Sequence, residues 1–189
     1  MSKKLIFKYE YLEKLTECLK QDQSVKIEKL YNKILEAWKK GRNIFICGNG
    51  GSAANSNHIA NDLLCVANKR AKKGIRIESL TANSAIITCI ANDRGYQNIF
   101  SEQIEIKGKK KDLIIFLSGS GNSKNILKGI NTAKKKGMYT FSILGFNGGK
   151  CKKVSHEFIN YKINDMQISE DIQMIIFNIC LKKLMKIKF

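Results

Sequence analysis

Two short segments rich in glycine, serine and asparagine have the composition of anion-binding loops. They are GNGGS at 48–52 and SGSGNS at 118–123, and each follows an apolar run and precedes a helical pattern. Glycines let the backbone turn tightly and present its N–H groups, and a helix N-terminus adds partial positive charge. Serine hydroxyls supply further donors for phosphate oxygens. Neither segment has the Walker lysine or the dinucleotide fingerprint, which argues against nucleoside triphosphate chemistry.

The positions of the two segments strengthen this interpretation. Either segment alone could be an ordinary strand-to-helix turn. However, they follow the first and third β-type runs, and these strands are neighbours in a doubly wound sheet of order 2-1-3-4-5. Ligands of such sheets bind beyond the carboxyl ends of the strands where the strand order reverses. The sequence therefore predicts one site for a phosphorylated ligand, built from both loops.

Several ionisable side chains could act near that site. His58 and Asp62 are four residues apart in a helical stretch, so they share a helix face. They could form a general base with its orienting partner, half of a metal site, or an ordinary surface pair. Asp93, within Asn92-Asp93-Arg94, could cap a turn or face the ligand. Glu170 opens the last long helix, where acidic residues commonly balance the helix dipole.

The surrounding pattern predicts the elements that carry these residues. Residues 8–40 have apolar positions at helical spacing; we expect a break at 21–24, Ser24 as N-cap, and Gly41 ending the second helix. Beyond them, β-type runs alternate with helical stretches, which predicts a parallel sheet covered on both faces, a three-layer αβα sandwich. The runs are 43–47, 76–80, 113–117, 139–144 and 157–163, and the helical stretches are about 52–67, 84–105, 122–136 and 168–187. We expect 1–40 to supply oligomer contacts to the same domain as 41–189.

Composition narrows the classes of partner. The 189 residues include 34 Lys and Arg against 16 Asp and Glu, a net charge of +18. The lysines are spread along the chain without a nucleic-acid motif, so we expect a solvated basic surface rather than a nucleic-acid site. No apolar run reaches membrane-spanning length, and the N-terminus lacks a secretory pattern, which predicts a cytoplasmic protein. The six cysteines form no CxxC pair, and we expect buried, reduced thiols.

Three segments resemble a known family. GNGGSAANSNHIANDL at 48–63, SLTANSAIITCIANDRGYQNIFSEQI at 79–104 and LSGSGNSKNILKGINTAKKKGM at 117–138 are similar to the SIS (sugar isomerase) fold, and within it to the phosphoheptose isomerases. The resemblance implies a flavodoxin-like five-stranded parallel sheet and a homotetramer with sites shared between subunits. It also implies a phosphorylated sugar as ligand, with the second loop holding the phosphate. The implied ligand-binding residues are Asn49, Gly50, Ser52, Asp93, Ser118, Gly119, Ser120 and Ser123, with Gly119 replacing the family's usual Thr.

The resemblance also implies a mechanism, in which a proton moves between C1 and C2 through an enediol. His58 matches the family's first zinc-binding His, whereas Asp62 stands where the base Glu should be. Glu170 stands at the family's Gln, and Asn178 replaces the acid His. An Arg that is usual in the family is Val66 here. The implied catalytic residues are then Asp62 and Glu170, and the implied zinc ligands are His58, Asp62 and Glu170.

Two functions follow from the resemblance. The first is an isomerase, an intramolecular oxidoreductase that converts sedoheptulose 7-phosphate to D-glycero-D-manno-heptose 7-phosphate or acts on a related sugar phosphate. Such an enzyme would supply heptose for lipopolysaccharide or capsule. The alternative is a non-catalytic SIS protein that senses a sugar phosphate or serves as a platform for a protein partner, as replication-initiation regulators do. That branch shares the strings SAAN and ANDR, and the Asn in place of the acid His.

Overall fold

The computed structural model describes residues 3–65 and 74–187, with side chains from Tyr9 onward. Helices and strands alternate after two leading helices, as the apolar pattern predicts. The helices are α1 (Lys3–Leu19), α2 (Ser24–Lys39), α3 (Gly51–Cys65), α4 (Ser84–Arg94), α5 (Ser101–Lys107), α6 (Lys124–Lys135), α7 (Cys151–Val154) and α8 (Met166–Leu184). The strands are β1 (Ile44–Cys47), β2 (Ile77–Ser79), β3 (Leu113–Ser118), β4 (Tyr139–Leu144) and β5 (Glu157–Asn160).

The five strands form one parallel sheet in the order β2-β1-β3-β4-β5. The sequence analysis predicts this order, which places both glycine-rich loops at the carboxyl ends of neighbouring strands. β1 and β3 pair in register up to Cys47 opposite Phe116, so their carboxyl ends lie side by side. The segments 48–52 and 118–123 therefore leave the sheet next to each other.

The core is divided by the sheet into two apolar layers. Successive side chains of β3 point to opposite faces, so Ile115 joins the layer under α2, α3 and α8, whereas Phe116 joins the layer under α5 and α6. Trp38 of α2 and Ile172 of α8 are buried in the first layer, and Ile130 of α6 in the second. The predicted three-layer α/β architecture is confirmed.

Some element boundaries differ from the sequence prediction. The helix predicted over 84–105 is divided, because Gly95 adopts a φ of 90° that ends α4, and a 3₁₀ turn at Tyr96–Asn98 precedes α5. Ser24 is not an N-cap but the first residue of α2, where its amide donates to the Asp22 side chain. Gly41 follows α2 with a φ of 64°, as predicted. The last strand ends at Asn160 rather than at 163.

Two predictions fall partly on residues that the structure does not describe. The end of the helix predicted over 52–67 and Val66 both lie outside the described residues. The thiol prediction is confirmed for Cys18, Cys47, Cys151 and Cys180, which are buried and free, but Cys65 and Cys89 are exposed. Within residues 3–65 and 74–187, no helix combines the length and apolarity needed to cross a membrane.

Candidate active site

The two glycine-rich loops are joined by a reciprocal pair of amide hydrogen bonds. Asn49 Nδ2 donates to Asn125 Oδ1 at 3.0 Å, and Asn125 Nδ2 donates to Asn49 Oδ1 at 2.8 Å. Asn125 lies in the first turn of α6, immediately after the second loop, and is buried. Buried amides are costly unless both their donors and acceptors are paired. The pair therefore fixes the distance between the two loops.

Two hydroxyls of the second loop, those of Ser118 and Ser120, accept backbone N–H groups within the loop, whereas the Ser123 hydroxyl makes no capping bond. Ser118 is buried, and its Oγ accepts the Gly121 N–H at 3.0 Å, which holds the turn closed. Ser120 borders an open cavity of about 500 Å³. Ser123 precedes α6 and makes no side-chain capping bond. Its hydroxyl and the positive end of α6 are thus placed to receive phosphate oxygens.

Gly119 has a tertiary reason to lack a side chain. A Cβ at this position would overlap the Sδ of Met166, the first residue of α8, and would reach the ring of Phe146. Met166 therefore packs directly on the backbone of the loop. The structure accounts in this way for glycine where the family usually has threonine.

The first loop already holds an anion, and that anion belongs to the protein. The Ser52 amide donates to Glu170 Oε1 at 3.1 Å, and a Cβ on Gly51 would overlap the same carboxylate. The Ser52 hydroxyl is buried and accepts from Gln173 Nε2 at 3.0 Å. Because a carboxylate occupies the N-terminus of α3, the second loop is the one left for a phosphate. Gly50 forms the exposed turn of the first loop, with a φ of 55°.

The side chains of His58 and Asp62 lie in contact farther along α3. His58 Nε2 lies 3.2 Å from Asp62 Oδ2, and the imidazole is 60% exposed. Asp62 comes ten residues after Ser52, which is about 15 Å along a helix. Asp62 and Asn178 border the same small cavity between α3 and α8. Within one protomer, this pair therefore lies away from the two loops.

Asp93 lies on α4 and is exposed. Its carboxylate accepts from Asn92 Nδ2 at 2.8 Å and from the Cys89 thiol at 3.6 Å, both on its own helix. The residue that connects this region to the first loop is Tyr96, whose hydroxyl donates to Asn49 Oδ1 at 3.0 Å. Sequence reasoning identified neither Tyr96 nor Asn125 as a site residue.

A thiol also lies at the end of β1, directly before the first loop. Burial, together with the nearby Cys151, raises the pKa of Cys47 well above its ordinary value. A buried thiol with a raised pKa stays protonated at neutral pH and is a poor nucleophile. Cys47 is therefore unsuited to act as a nucleophile at this site.

The three implied zinc ligands do not converge in a protomer. Among residues 3–65 and 74–187, no group of three His, Cys, Asp or Glu side chains is arranged to hold a metal ion. His58 and Asp62 face each other, whereas Glu170 is bonded to the Ser52 amide. The ligand set therefore does not fit zinc within one copy of the chain.

Comparison with known proteins identifies the family. A family model described as SIS domain matches residues 9–145. The phosphoheptose isomerase of Helicobacter pylori strain P12 is 39% identical over 168 residues, covering 89% of this chain and 83% of that protein. The chain belongs to the SIS domain family, in its phosphoheptose isomerase group. The resemblance found in the loop motifs is thereby confirmed.

Two further comparisons agree with this membership. The phosphoheptose isomerase of Clostridium acetobutylicum is 39% identical over 135 residues, which cover 71% of this SIS chain and 68% of the relative. The structure of phosphoheptose isomerase from Neisseria gonorrhoeae superposes with a TM-score of 0.88 at 22% identity, covering 97% of both chains. At that identity the superposition supports the fold, and the closer sequence relatives support the group.

Proposed function

We propose that this SIS protein is a phosphosugar isomerase that interconverts sedoheptulose 7-phosphate and D-glycero-D-manno-heptose 7-phosphate through an enediol. Relatives that are 39% identical over most of their length carry the name phosphoheptose isomerase. The observation that carries the proposal is the position of the Glu170 carboxylate. The Ser52 amide of the first loop binds this carboxylate, and the Asn49–Asn125 pair joins the first loop to the second.

In this mechanism, the second loop positions the substrate. Ser120, Ser123 and the N-terminus of α6 bind the phosphate, which places the carbonyl end of the sugar against the first loop. Anchoring a remote group in this way contributes to catalysis by removing translational and rotational freedom before the reaction. The phosphate is a spectator in the chemical step, so its contacts serve positioning alone.

Glu170 is the proposed base. A carboxylate oxygen removes the proton from the carbon that bears a hydroxyl beside the carbonyl. The electron pair of the broken C–H bond forms the C=C bond of the enediol, and the carbonyl oxygen takes up a proton. Glu170 then returns the proton to the neighbouring carbon, and the other enediol hydroxyl releases its proton to solvent as its C–O bond becomes the new carbonyl, which balances the proton taken up by the first oxygen. The Ser52 amide orients the carboxylate throughout the reaction. Asn49 belongs to the same loop and binds the substrate's oxygens.

We also propose that the active protein is a homotetramer located in the cytoplasm. α4 has no buried residue: Ile87 and Ile90 pack only partly against the core layer of α5 and α6, and Ile86 is also half-buried. A helix whose apolar side chains stay partly exposed is suited to a contact with another copy. Such a contact could bring the His58–Asp62 pair of one copy to the loops of another. The six free cysteines agree with a reducing compartment.

The test follows turnover of sedoheptulose 7-phosphate by NMR, together with calorimetric binding. We expect new anomeric signals with the native chain. Glu170→Gln should abolish them while retaining sugar-phosphate binding. Asp171→Asn is the matched control, because this exposed neighbour bonds to Tyr11 and should leave turnover unchanged. Unchanged turnover in Glu170→Gln would refute the proposed base.

One observation favours a second function, a non-catalytic SIS protein that binds a sugar phosphate or a protein partner. Asn178, at the position of the acid His, is exposed and cannot transfer a proton at neutral pH as a His can. The same NMR experiment separates the two functions. Binding of sedoheptulose 7-phosphate without any isomer at high protein concentration would support the sensor or platform.

A further inference from the structure

Another cavity lies at the end of the sheet where the strands begin, opposite the two loops. It has a volume of about 230 Å³ and opens where β3 and β4 begin, beside the carboxyl end of α2. β3 has six residues, so about 20 Å of strand separates this cavity from the second loop. Four cationic side chains line it, against a single carboxylate, and we call it the basal cavity. Its charged residues are Lys33, Glu36, Arg42, Lys111 and Lys134.

The single carboxylate is already shared among cations. Glu36 accepts from Lys40 at 2.8 Å, Arg42 at 3.1 Å and Lys33 at 3.3 Å. The Lys40 hydrogen bond, with help from Lys33, lowers the pKa of Glu36 to about 2. Because one carboxylate is shared by three cations, the residues around the cavity keep a net positive charge.

Among residues 3–65 and 74–187, the other two lysines have no acidic partner and so add unshared cationic charge. Lys134 Nζ donates to the carbonyl of Val154 at 2.9 Å. Lys111 makes no ion pair with any residue in the described part of the chain. Both side chains are exposed at the rim, where a bound anion would gain two unshared charges.

The backbone of Lys111 is a further sign of function. Its φ is 73°, in the left-handed region where glycine is the favoured residue, and its N–H donates to Gly137 O at 2.9 Å. A lysine at this position is less favourable than a glycine for the backbone alone. Strained positions that retain a functional side chain commonly mark binding sites.

An aromatic wall completes the cavity. Tyr139 and His156 stack with ring centroids 5.2 Å apart, and Lys33 Nζ lies 4.3 Å from the centre of the Tyr139 ring. His156 Nδ1 accepts the Thr140 N–H at 3.1 Å, which leaves the ring proton of the neutral imidazole on Nε2. That Nε2–H is one more donor among the cavity-lining residues.

We propose that the basal cavity binds a small molecule carrying two or more phosphoryl groups, at a site separate from the sugar-phosphate loops. The four cations and the imidazole N–H match several clustered phosphate oxygens, and the volume suits a metabolite rather than a polymer. Arg42 and Lys33 form the inner side, and Lys111 and Lys134 form the rim.

The test uses inorganic pyrophosphate as probe, titrated into the whole chain at about 0.15 M salt. Saturating sedoheptulose 7-phosphate keeps the probe from the second loop. We expect one site per chain, and binding at least tenfold weaker in Lys111→Gln/Lys134→Gln. The matched control is Lys110→Gln/Lys135→Gln, which removes the same charge from adjacent exposed lysines outside the cavity and should stay within twofold of the native chain.

Three results would overturn the proposal, and a second variant excludes misfolding. Equal weakening by both double variants would show that only the overall charge attracts anions. No pyrophosphate binding beside the sugar phosphate would show that the basal cavity is not a phosphate site. A single-stranded oligonucleotide that binds more tightly through the same lysines would assign the face to nucleic acid instead. Lys111→Gly relieves the backbone strain, so it should raise the melting temperature while still weakening pyrophosphate binding at least threefold.

Discussion

The thioether of Met166 occupies the space that a side chain at position 119 would need, against the backbone of the phosphate loop. Gly119→Thr should therefore force Met166 to move. We expect the free energy of unfolding to fall by about 1–3 kcal/mol, the usual cost of overpacking. Urea denaturation would measure the change. Adding Met166→Ala should recover at least half of the loss, and a purely additive double variant would contradict the contact.

Gly51 and Glu170 have a similar relationship in the first loop. A Cβ at Gly51 would overlap the carboxylate, so Gly51→Ala should displace it from the Ser52 amide. We expect kcat to fall at least tenfold with little change in KM, because the phosphate contacts remain. Calorimetric sugar-phosphate affinity should stay within about twofold of the native chain. A loss of affinity as large as the loss of kcat would mean that Gly51→Ala disturbs the phosphate loop instead.

Two serines of the second loop should behave differently. The Ser123 hydroxyl is not used for capping, whereas that of Ser118 accepts the Gly121 N–H. Ser123→Ala should weaken sugar-phosphate binding about tenfold or more, the usual effect of losing a bond to a charged group, without a change in melting temperature. Ser118→Ala should lower both affinity and melting temperature. Calorimetry and thermal unfolding measure the two effects, and matching profiles would contradict the assignment.

Glu36 should contribute to stability in a defined pH range. Its pKa is lowered to about 2, foremost by the Lys40 hydrogen bond, from an ordinary 4.5. A lowered carboxyl pKa stabilises the fold above about pH 4.5, and this contribution is lost as the pH falls towards 2. Since the Lys40 side chain is 54% exposed, solvent screening limits the effect. We expect Glu36→Gln to cost about 1 kcal/mol at pH 7 and nothing at pH 2.

The control for Glu36 is Glu17→Gln. Glu17 pairs with Lys20 at 2.6 Å but is 72% exposed. Its replacement should change stability by less than about 0.5 kcal/mol at either pH. Equal losses from both variants at pH 7 would contradict a special role for the Glu36 cluster.

Dialysis against a chelator tests the zinc expectation. Because His58, Asp62 and Glu170 do not converge in one protomer, we expect turnover to change by less than twofold. Metal content measured by emission spectroscopy before and after dialysis would accompany the assay. A large loss that zinc restores would show that a second copy of the chain completes a metal site.

The sequence predicts the fold and the meeting of the loops because both depend on periodic or local signals. β-type runs alternate with helical stretches, and the strand order follows from the common parallel topology. The division of the helix at Gly95 was missed, since the apolar positions continue across it. The glycine alone could have indicated the break.

Periodic and local signals in the sequence cannot predict the tertiary contacts of the site. Glu170 reaches Ser52 across 118 residues, and no spacing rule connects them. Only the resemblance gave Glu170 a definite role at the site, as a catalytic residue and zinc ligand, and it did not indicate a partner of the α3 N-terminus. The basal cavity was also missed. Its cationic residues come from separate segments of the chain, and in the sequence each looks like an ordinary surface lysine or arginine.

The half-exposed isoleucines of α4 affect how the protein should be handled in solution. If another copy covers them, the folded state gains from association, and its midpoint of thermal unfolding rises with protein concentration. Dilution would release protomers that expose this stripe to water and adhere to surfaces or to one another. Enzyme assays run at nanomolar concentration could then underestimate the activity of the assembled form.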